Sequence, residues 1–217
     1  MIIAIDGPAG SGKSTIARMI AEALGFAYVN SGSIYRAMTL RLLECSGDPS
    51  DIEAVLECAR SASIEYRGGR LHLDGRDVND ELRSAKVDAV VAQISAIPPL
   101  REIVNAHVRA IADATDAVVE GRDMTTVVFP EAESKFYLDA SPESRALRRY
   151  NQGVSEASFE EIERNIEMRD AIDRSKSVGS LKIAPDAFYL DSSGLTIQEV
   201  YDKVYGKILH IRETHGR

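Results

Sequence analysis

Gly7-Pro8-Ala9-Gly10-Ser11-Gly12-Lys13-Ser14 is the stretch that decides the fold. It is a complete Gly-x-x-x-x-Gly-Lys-Ser/Thr pattern. The apolar run Ile2-Ile3-Ala4-Ile5 precedes it and reads as a buried strand. Thr15 to Leu24 follow, with apolar positions 16, 19, 20, 23 and 24 at helical spacing. Strand, glycine-rich turn and helix in that order are the context in which this pattern cradles a polyphosphate. The glycines let several backbone N–H groups converge on one anion, and the helix N-terminus adds its partial positive charge. Residues Gly7, Pro8, Ala9, Gly10, Ser11, Gly12, Lys13, Ser14 and Thr15 are therefore expected to hold a nucleoside triphosphate. Lys13 would reach the outer phosphates and Ser14 would ligate Mg²⁺.

The rest of the chain repeats the strand–helix alternation with one interruption. Ala27-Tyr28-Val29 reads as a second strand and Ser33 to Cys45 as a helix, after the first helix stops at Gly25. Ser50 and Glu53 read as a capping box opening a helix with Ile52, Val55, Leu56 and Ala59 on one face. Ile64-Glu65-Tyr66 and Leu71-His72-Leu73 flank Gly68-Gly69 as a hairpin, and two helices are expected over 84–96 and 100–112. Strands resume at Ala117-Val118-Val119-Glu120, Phe136-Tyr137-Leu138 and Ala187-Phe188-Tyr189-Leu190. Ser141-Pro142, Ser158 with Glu161, and Thr196 with Glu199 mark helix starts. Five short apolar strands separated by helices predict an α/β fold, a parallel sheet covered by helices on both faces. A ligand would sit at the carboxyl ends of its strands.

The 217 residues suit one such domain with an insertion, which the hairpin and its helices place at roughly 62–105; the core then takes 1–61 and 106–217. The net charge of −8 argues against a general nucleic-acid or membrane-surface binder. Cys45 and Cys58, the only cysteines, fall in apolar helical patterns and suggest neither a disulfide framework nor a zinc site. Asp6 interrupts the first apolar run too early for a signal peptide, and no stretch is long enough to span a membrane, so the cytoplasm is the expected compartment. His72, His107, His210 and His215 show no metal-ligand spacing and receive no role.

A phosphate loop alone does not separate phosphotransferases from switches or regulators, so the other polar clusters must decide. No Asn-Lys-x-Asp guanine-reading motif occurs, and Asp191-Ser192-Ser193-Gly194 comes too late in the chain to be a switch. Arg36, in Asn30-Ser31-Gly32-Ser33-Ile34-Tyr35-Arg36, either clamps an acceptor phosphate or is a solvated helix arginine. Arg122-Asp123 ends the third strand at the ligand edge; Asp123 can bind a ligand, orient Arg122, or both. Arg145, Arg148, Arg149, Arg164, Arg169, Arg174 and Lys176 crowd one C-terminal stretch. They form either a lid that stabilises phosphoryl-transfer charge or, with their interleaved acids, a solvated face.

Together these segments resemble one family, the bacterial-type cytidylate kinases. The matching stretches are Ile5 to Thr15, Ser31 to Arg36, Gly121-Arg122-Asp123-Met124-Thr125-Thr126-Val127-Val128-Phe129-Pro130, Phe136 through Arg149, Arg169-Asp170 with Asp173-Arg174, and Asp191-Ser192-Ser193 with Leu195. The resemblance implies a P-loop nucleoside monophosphate kinase: a five-stranded parallel core, an inserted monophosphate-binding subdomain and a short lid over about 148–180. It implies phosphoryl transfer from ATP to CMP or dCMP with Mg²⁺. A monomer without nucleic-acid or membrane partners is expected. An acceptor such as UMP or AMP on the same fold is the alternative. Carried over residue by residue, Arg36 and Arg122 would hold the acceptor phosphate, with Ser31 in the same acceptor set. Arg101 and Asp123 would read cytosine, Arg169 and Asp173 would contact the pentose, and Arg148 and Arg149 would belong to the lid. With Lys13, the arginines Arg122, Arg148, Arg149 and Arg169 make up the expected catalytic set. The sequence departs from the family pattern at Asn30 (usually Asp), Ala92 (often Ser), Thr125 (usually Gly), Lys176 (usually Arg) and Gly179-Ser180-Leu181 (usually Ala-Pro-Leu).

Overall fold

A computed structural model describes residues 1–67, 69–153 and 157–214. Gly68 of the expected hairpin, part of the expected lid, and His215 lie outside the described residues. The chain forms two compact units: unit 1 is Met1–Tyr28 with Asp116–Arg217, and unit 2 is Val29–Thr115.

Unit 1 is built on β1 (Ile2–Asp6), β6 (Ala117–Gly121), β7 (Ser134–Asp139) and β8 (Phe188–Asp191). With β2 (Ala27–Asn30) they form a five-stranded sheet in the order β2-β6-β1-β7-β8. β1 pairs in parallel with β6, from Ile2 opposite Ala117 to Asp6 opposite Gly121, and also with β7; β7 pairs in parallel with β8. Central position explains why β1 and β6 carry almost no exposed residue and read as unbroken apolar runs. Helices α1 (Lys13–Leu24) and α8 (Ile197–Thr214) bury Ile16, Ile20, Val200, Val204 and Ile208 against Ile3, Ile5, Val118, Phe136 and Leu138. The α1 C-terminus closes as expected: Gly25 is left-handed, Phe26 N–H donates to Ala21 O at 2.9 Å and Gly25 N–H to Glu22 O at 3.3 Å.

The expected helix starts in unit 1 are present. Ser141 caps α6 (Pro142–Asn151), with its Oγ accepting from Ser144 N–H. Ser158 and Glu161 form a reciprocal box on α7 (Phe159–Ser175), and Thr196 and Glu199 do the same at α8. Ala146, Ile162 and Ile166 pack α6 onto α7. The stretch from Met124 to Val128 was not expected to be helical; it forms one π-helical turn, with Phe129 N–H donating to Met124 O at 2.8 Å.

Unit 2 contains α2 (Ser31–Glu44), α3 (Ile52–Arg60), α4 (Ala85–Ile94) and α5 (Pro98–Asp113), with α2 packed against the other three. Strands β3 (Ile64–Arg67), β4 (Arg70–Leu73) and β5 (Arg76–Asp77) form a small antiparallel sheet in that order. The expected insertion at 62–105 lies inside this unit, which is wider because α2 and α3 pack with α4 and α5. One helix start differs from expectation. Asp51, not Ser50, caps α3, accepting from Ala54 N–H at 3.1 Å. Ser50 bonds Asp48 instead, and Glu53 pairs with Arg60. A carboxylate one residue nearer the helix displaces the hydroxyl as the cap acceptor.

Candidate active site

The phosphate loop joins the carboxyl end of β1 to α1. Its close approach to the sheet requires glycine. A Cβ on Gly7 would lie 2.0 Å from Leu138 O, and Gly12, the residue before α1, is left-handed at φ 89°. Two arginines of α6 brace the loop from outside. Arg145, buried, donates to Ala9 O at 3.0 Å and Ala140 O at 2.8 Å, and pairs with Asp170 at 2.6 Å. Arg148 donates to Ser11 O at 3.3 Å and to Ser192 O at 2.6 Å. Ser192 Oγ also donates to Ser11 O at 3.3 Å, so the loop after β8 is tied to the phosphate loop. Ser11 Oγ is buried inside the loop with no protein partner.

Lys13 is buried and folds back to donate to Pro8 O at 3.1 Å. Burial, then the charges of Arg122 and Arg169, pushes its ammonium down to about 7, while Glu120 and Asp173 oppose the shift. The same neighbours show which expected residues unit 1 brings together: Lys13, Arg122, Arg169 and Asp173 lie within mutual electrostatic reach. Arg122 Nε is 2.7 Å from Asp173 Oδ2, and Lys176 Nζ is 2.9 Å from Asp173 Oδ1. Burial works against the Asp173 charge, but Arg122 and Lys176 outweigh it and hold the carboxyl well below the usual range. Asp173 is therefore a carboxylate that orients Arg122. Asp123 is buried beside it. Arg149 and Arg169 are half-buried on α6 and α7.

The π-helical turn that follows Arg122-Asp123 is fastened by a residue that the sequence reading treated only as a break in an apolar run. Asp6, fully buried at the end of β1, accepts from Met124 N–H at 2.9 Å, Thr125 N–H at 2.7 Å and Thr125 Oγ1 at 2.6 Å. Burial pushes the Asp6 carboxyl up to about 6 despite these bonds, with the Asp123 charge adding to the rise. A charged residue closing a fully apolar strand is the signal that marks it: such a carboxylate must find donors inside the fold.

In unit 2, Asn30 Oδ1 accepts from Ser33 N–H at 3.0 Å and caps α2, which begins at the buried Ser31. Arg36 donates to Leu82 O at 2.8 Å and pairs with Asp88 at 2.6 Å. Arg101, buried on α5, donates to Ser95 O at 3.1 Å, with its guanidinium carbon 5.5 Å from the centre of the Tyr35 ring. Ala92 lies on α4, and its carbonyl accepts from Ser95 Oγ at 3.0 Å.

The model of the cytidylate kinase family matches residues 3–210. The chain belongs to the cytidylate kinase family. The cytidylate kinase of Caldanaerobacter subterraneus subsp. tengcongensis is 43% identical over 210 residues, covering 95% of this chain and 93% of that one. That of Thermodesulfovibrio yellowstonii is 41% identical over 215 residues, 95% and 97% of the two chains, and that of Solibacter usitatus 40% over 222 residues, 100% and 95%. The solved structure of an uncharacterized protein from Eubacterium ventriosum matches with a TM-score of 0.50 at 13% identity, covering 96% and 98% of the two chains, a likeness of fold alone. Within the cytidylate kinase pattern, three departures have visible work in this chain. Asn30 keeps a cap acceptor. Thr125 adds a hydroxyl bond to Asp6 that a glycine cannot make. Lys176 keeps one charged bond to Asp173 without the guanidinium fork.

Proposed function

We propose that this chain transfers the γ-phosphoryl group of ATP to CMP or dCMP, giving ADP and CDP or dCDP. Membership of the cytidylate kinase family over residues 3–210 carries this reading. The buried Lys13 at a braced phosphate loop, with two further arginines in its electrostatic reach, supplies the chemistry expected of it.

The acceptor phosphate oxygen is already ionised at neutral pH, so no general base is needed, and catalysis is positioning and charge stabilisation. The loop N–H groups and Lys13 bind the β- and γ-phosphates of ATP. Arg169 and Arg149 stabilise charge on the transferring group, while Arg148 holds the phosphate loop in shape from outside. Arg36 and Arg122 hold the acceptor phosphate, with Ser31 in the same acceptor set. Arg101 and Asp123 read the base, and Arg169 and Asp173 the pentose. The assignments to Ser31, Arg36 and Arg101 in unit 2 rest on the family motif. The donor set fits Mg²⁺. Among the described residues no group of three or more His, Cys, Asp or Glu side chains could cage a metal. A cation at the Ser14 hydroxyl would therefore take most of its ligands from phosphate oxygens and water, which suits Mg²⁺. Bound there, it would neutralise charge between the β- and γ-phosphates. No helix among the described residues is long and apolar enough to cross a membrane, and we place this monomeric, small-molecule activity in the cytoplasm.

The test is to incubate the protein with γ-labelled ATP and CMP and to separate the nucleotides. The label is expected in CDP with equal ADP formed. Label released as inorganic phosphate, with CMP unchanged, would contradict the reading.

A further inference from the structure

Arg36 makes a contact that phosphoryl transfer does not call for. Its Nη1 donates to Leu82 O at 2.8 Å and its Nη2 lies 2.6 Å from Asp88 Oδ1. Leu82 is buried just before α4, and Asp88 stands in the first turn of α4, its own N–H bonded to Ser84 O at 3.0 Å. The guanidinium is thus docked across the start of α4, wholly within unit 2. The two partners differ in exposure. Leu82 is buried, whereas the Asp88 side chain is 51% exposed. A first-turn carboxylate also gains from the partial positive charge of the helix start, which favours it at this spot.

We infer that Asp88 sets the affinity for the acceptor by occupying the edge of Arg36 that the acceptor phosphate takes. The inference rests on the assignment of Arg36 to that phosphate. With Nη1 committed to Leu82 O, Nε and Nη2 form the edge left for bidentate recognition of an oxyanion, and Asp88 sits on Nη2. A carboxylate and a phosphate dianion sharing one guanidinium edge would repel each other at close range. The carboxylate therefore swings into solvent when the acceptor seats. An ion pair with a half-exposed partner is weak, so the competition is modest and tunes affinity without blocking it. Asp88 does not touch the transferring group, so it acts on acceptor binding and not on the chemical step. Its effect belongs to the phosphate and is the same whichever base is attached.

The experiment compares the parent protein with Asp88→Asn, Asp88→Glu and Arg36→Met. It measures equilibrium binding of CMP, dCMP and UMP, and steady-state kinetics with each at saturating ATP. Asp88→Asn is expected to lower acceptor Kd and KM by a common factor of about 3 to 10, the size of a weak competing ion pair, with kcat and the KM for ATP within about twofold. Asp88→Glu is expected to return to the parent value, and Arg36→Met to weaken acceptor binding. Unchanged or weaker acceptor binding in Asp88→Asn, with Arg36→Met weakened, overturns the role of Asp88 alone. Unchanged binding in Arg36→Met overturns the phosphate assignment of Arg36 and the inference with it. A preference for UMP over CMP in the parent would sink the cytidine reading while leaving a common Asp88 factor intact.

Discussion

Lys13 is a cation whose charge the fold disfavours. Burial foremost, with Arg122 and Arg169 beside it, brings its ammonium down to about 7. A bound triphosphate adds negative charge beside the ammonium, which donates to the Pro8 carbonyl, so binding must raise the Lys13 pKa. At pH 8 the free protein holds Lys13 mostly neutral and the complex holds it charged, so Lys13 takes up a proton on binding; at pH 6 it is charged in both states and contributes no uptake. Titration calorimetry of a non-hydrolysable ATP analogue in two buffers of different ionisation enthalpy should show uptake approaching one proton at pH 8, lost in Lys13→Met. Buffer-independent heats at pH 8 would contradict this. Lys13 itself was legible because its motif is local. Asp6 was not, because its meaning depends on donors at Met124 and Thr125, 118 and 119 residues away.

That carboxylate links two elements, the strand β1 and the π-helical turn after Arg122-Asp123. Its folded pKa of about 6 stands above the ordinary carboxylate value of 3.8. The fold thus favours the protonated form: the contribution of Asp6 to stability is fully present below pH 3.8, declines as pH rises through 6, and is flat above. The Thr125 hydroxyl offsets part of that loss by donating to the ionised form. Thr125→Val, close in shape, should therefore cost more at pH 8 than at pH 5. About 1.5–3 kcal/mol is expected at pH 8, the range for a bond to a charged group, and a smaller loss at pH 5. Urea unfolding at the two pH values measures it, and equal losses would sink the coupling. Elements whose signals lie within one helical turn were readable: Ser158 with Glu161, Thr196 with Glu199, and Ser141-Pro142 start helices as the sequence says. Ser50 with Glu53 misled because Asp51 lies between them and takes the cap. The π-helical turn carried no periodic signal at all. Its shape is imposed by Asp6 from another strand.

At the scale of the molecule, the five-stranded architecture followed from apolar runs alternating with helices, because parallel strands are buried on both faces. The two-unit division did not follow. Whether α2 and α3 go with the sheet or with α4 and α5 is a matter of packing between distant segments, which no local pattern reports. The arginines were visible as a cluster, but not their separate duties. Arg145 sits buried against Asp170 and Ala9 as a brace, Arg148 ties two loops, and Arg122 is aimed by Asp173. The central claim, that this assembly phosphorylates a cytidine monophosphate, is tested most directly by kcat/KM for CMP, dCMP, UMP, AMP and dTMP at saturating ATP and Mg²⁺. CMP or dCMP is expected to lead every other acceptor by about tenfold or more, the scale of one well-made base contact. A lead of UMP or AMP over both cytidine nucleotides would contradict the account.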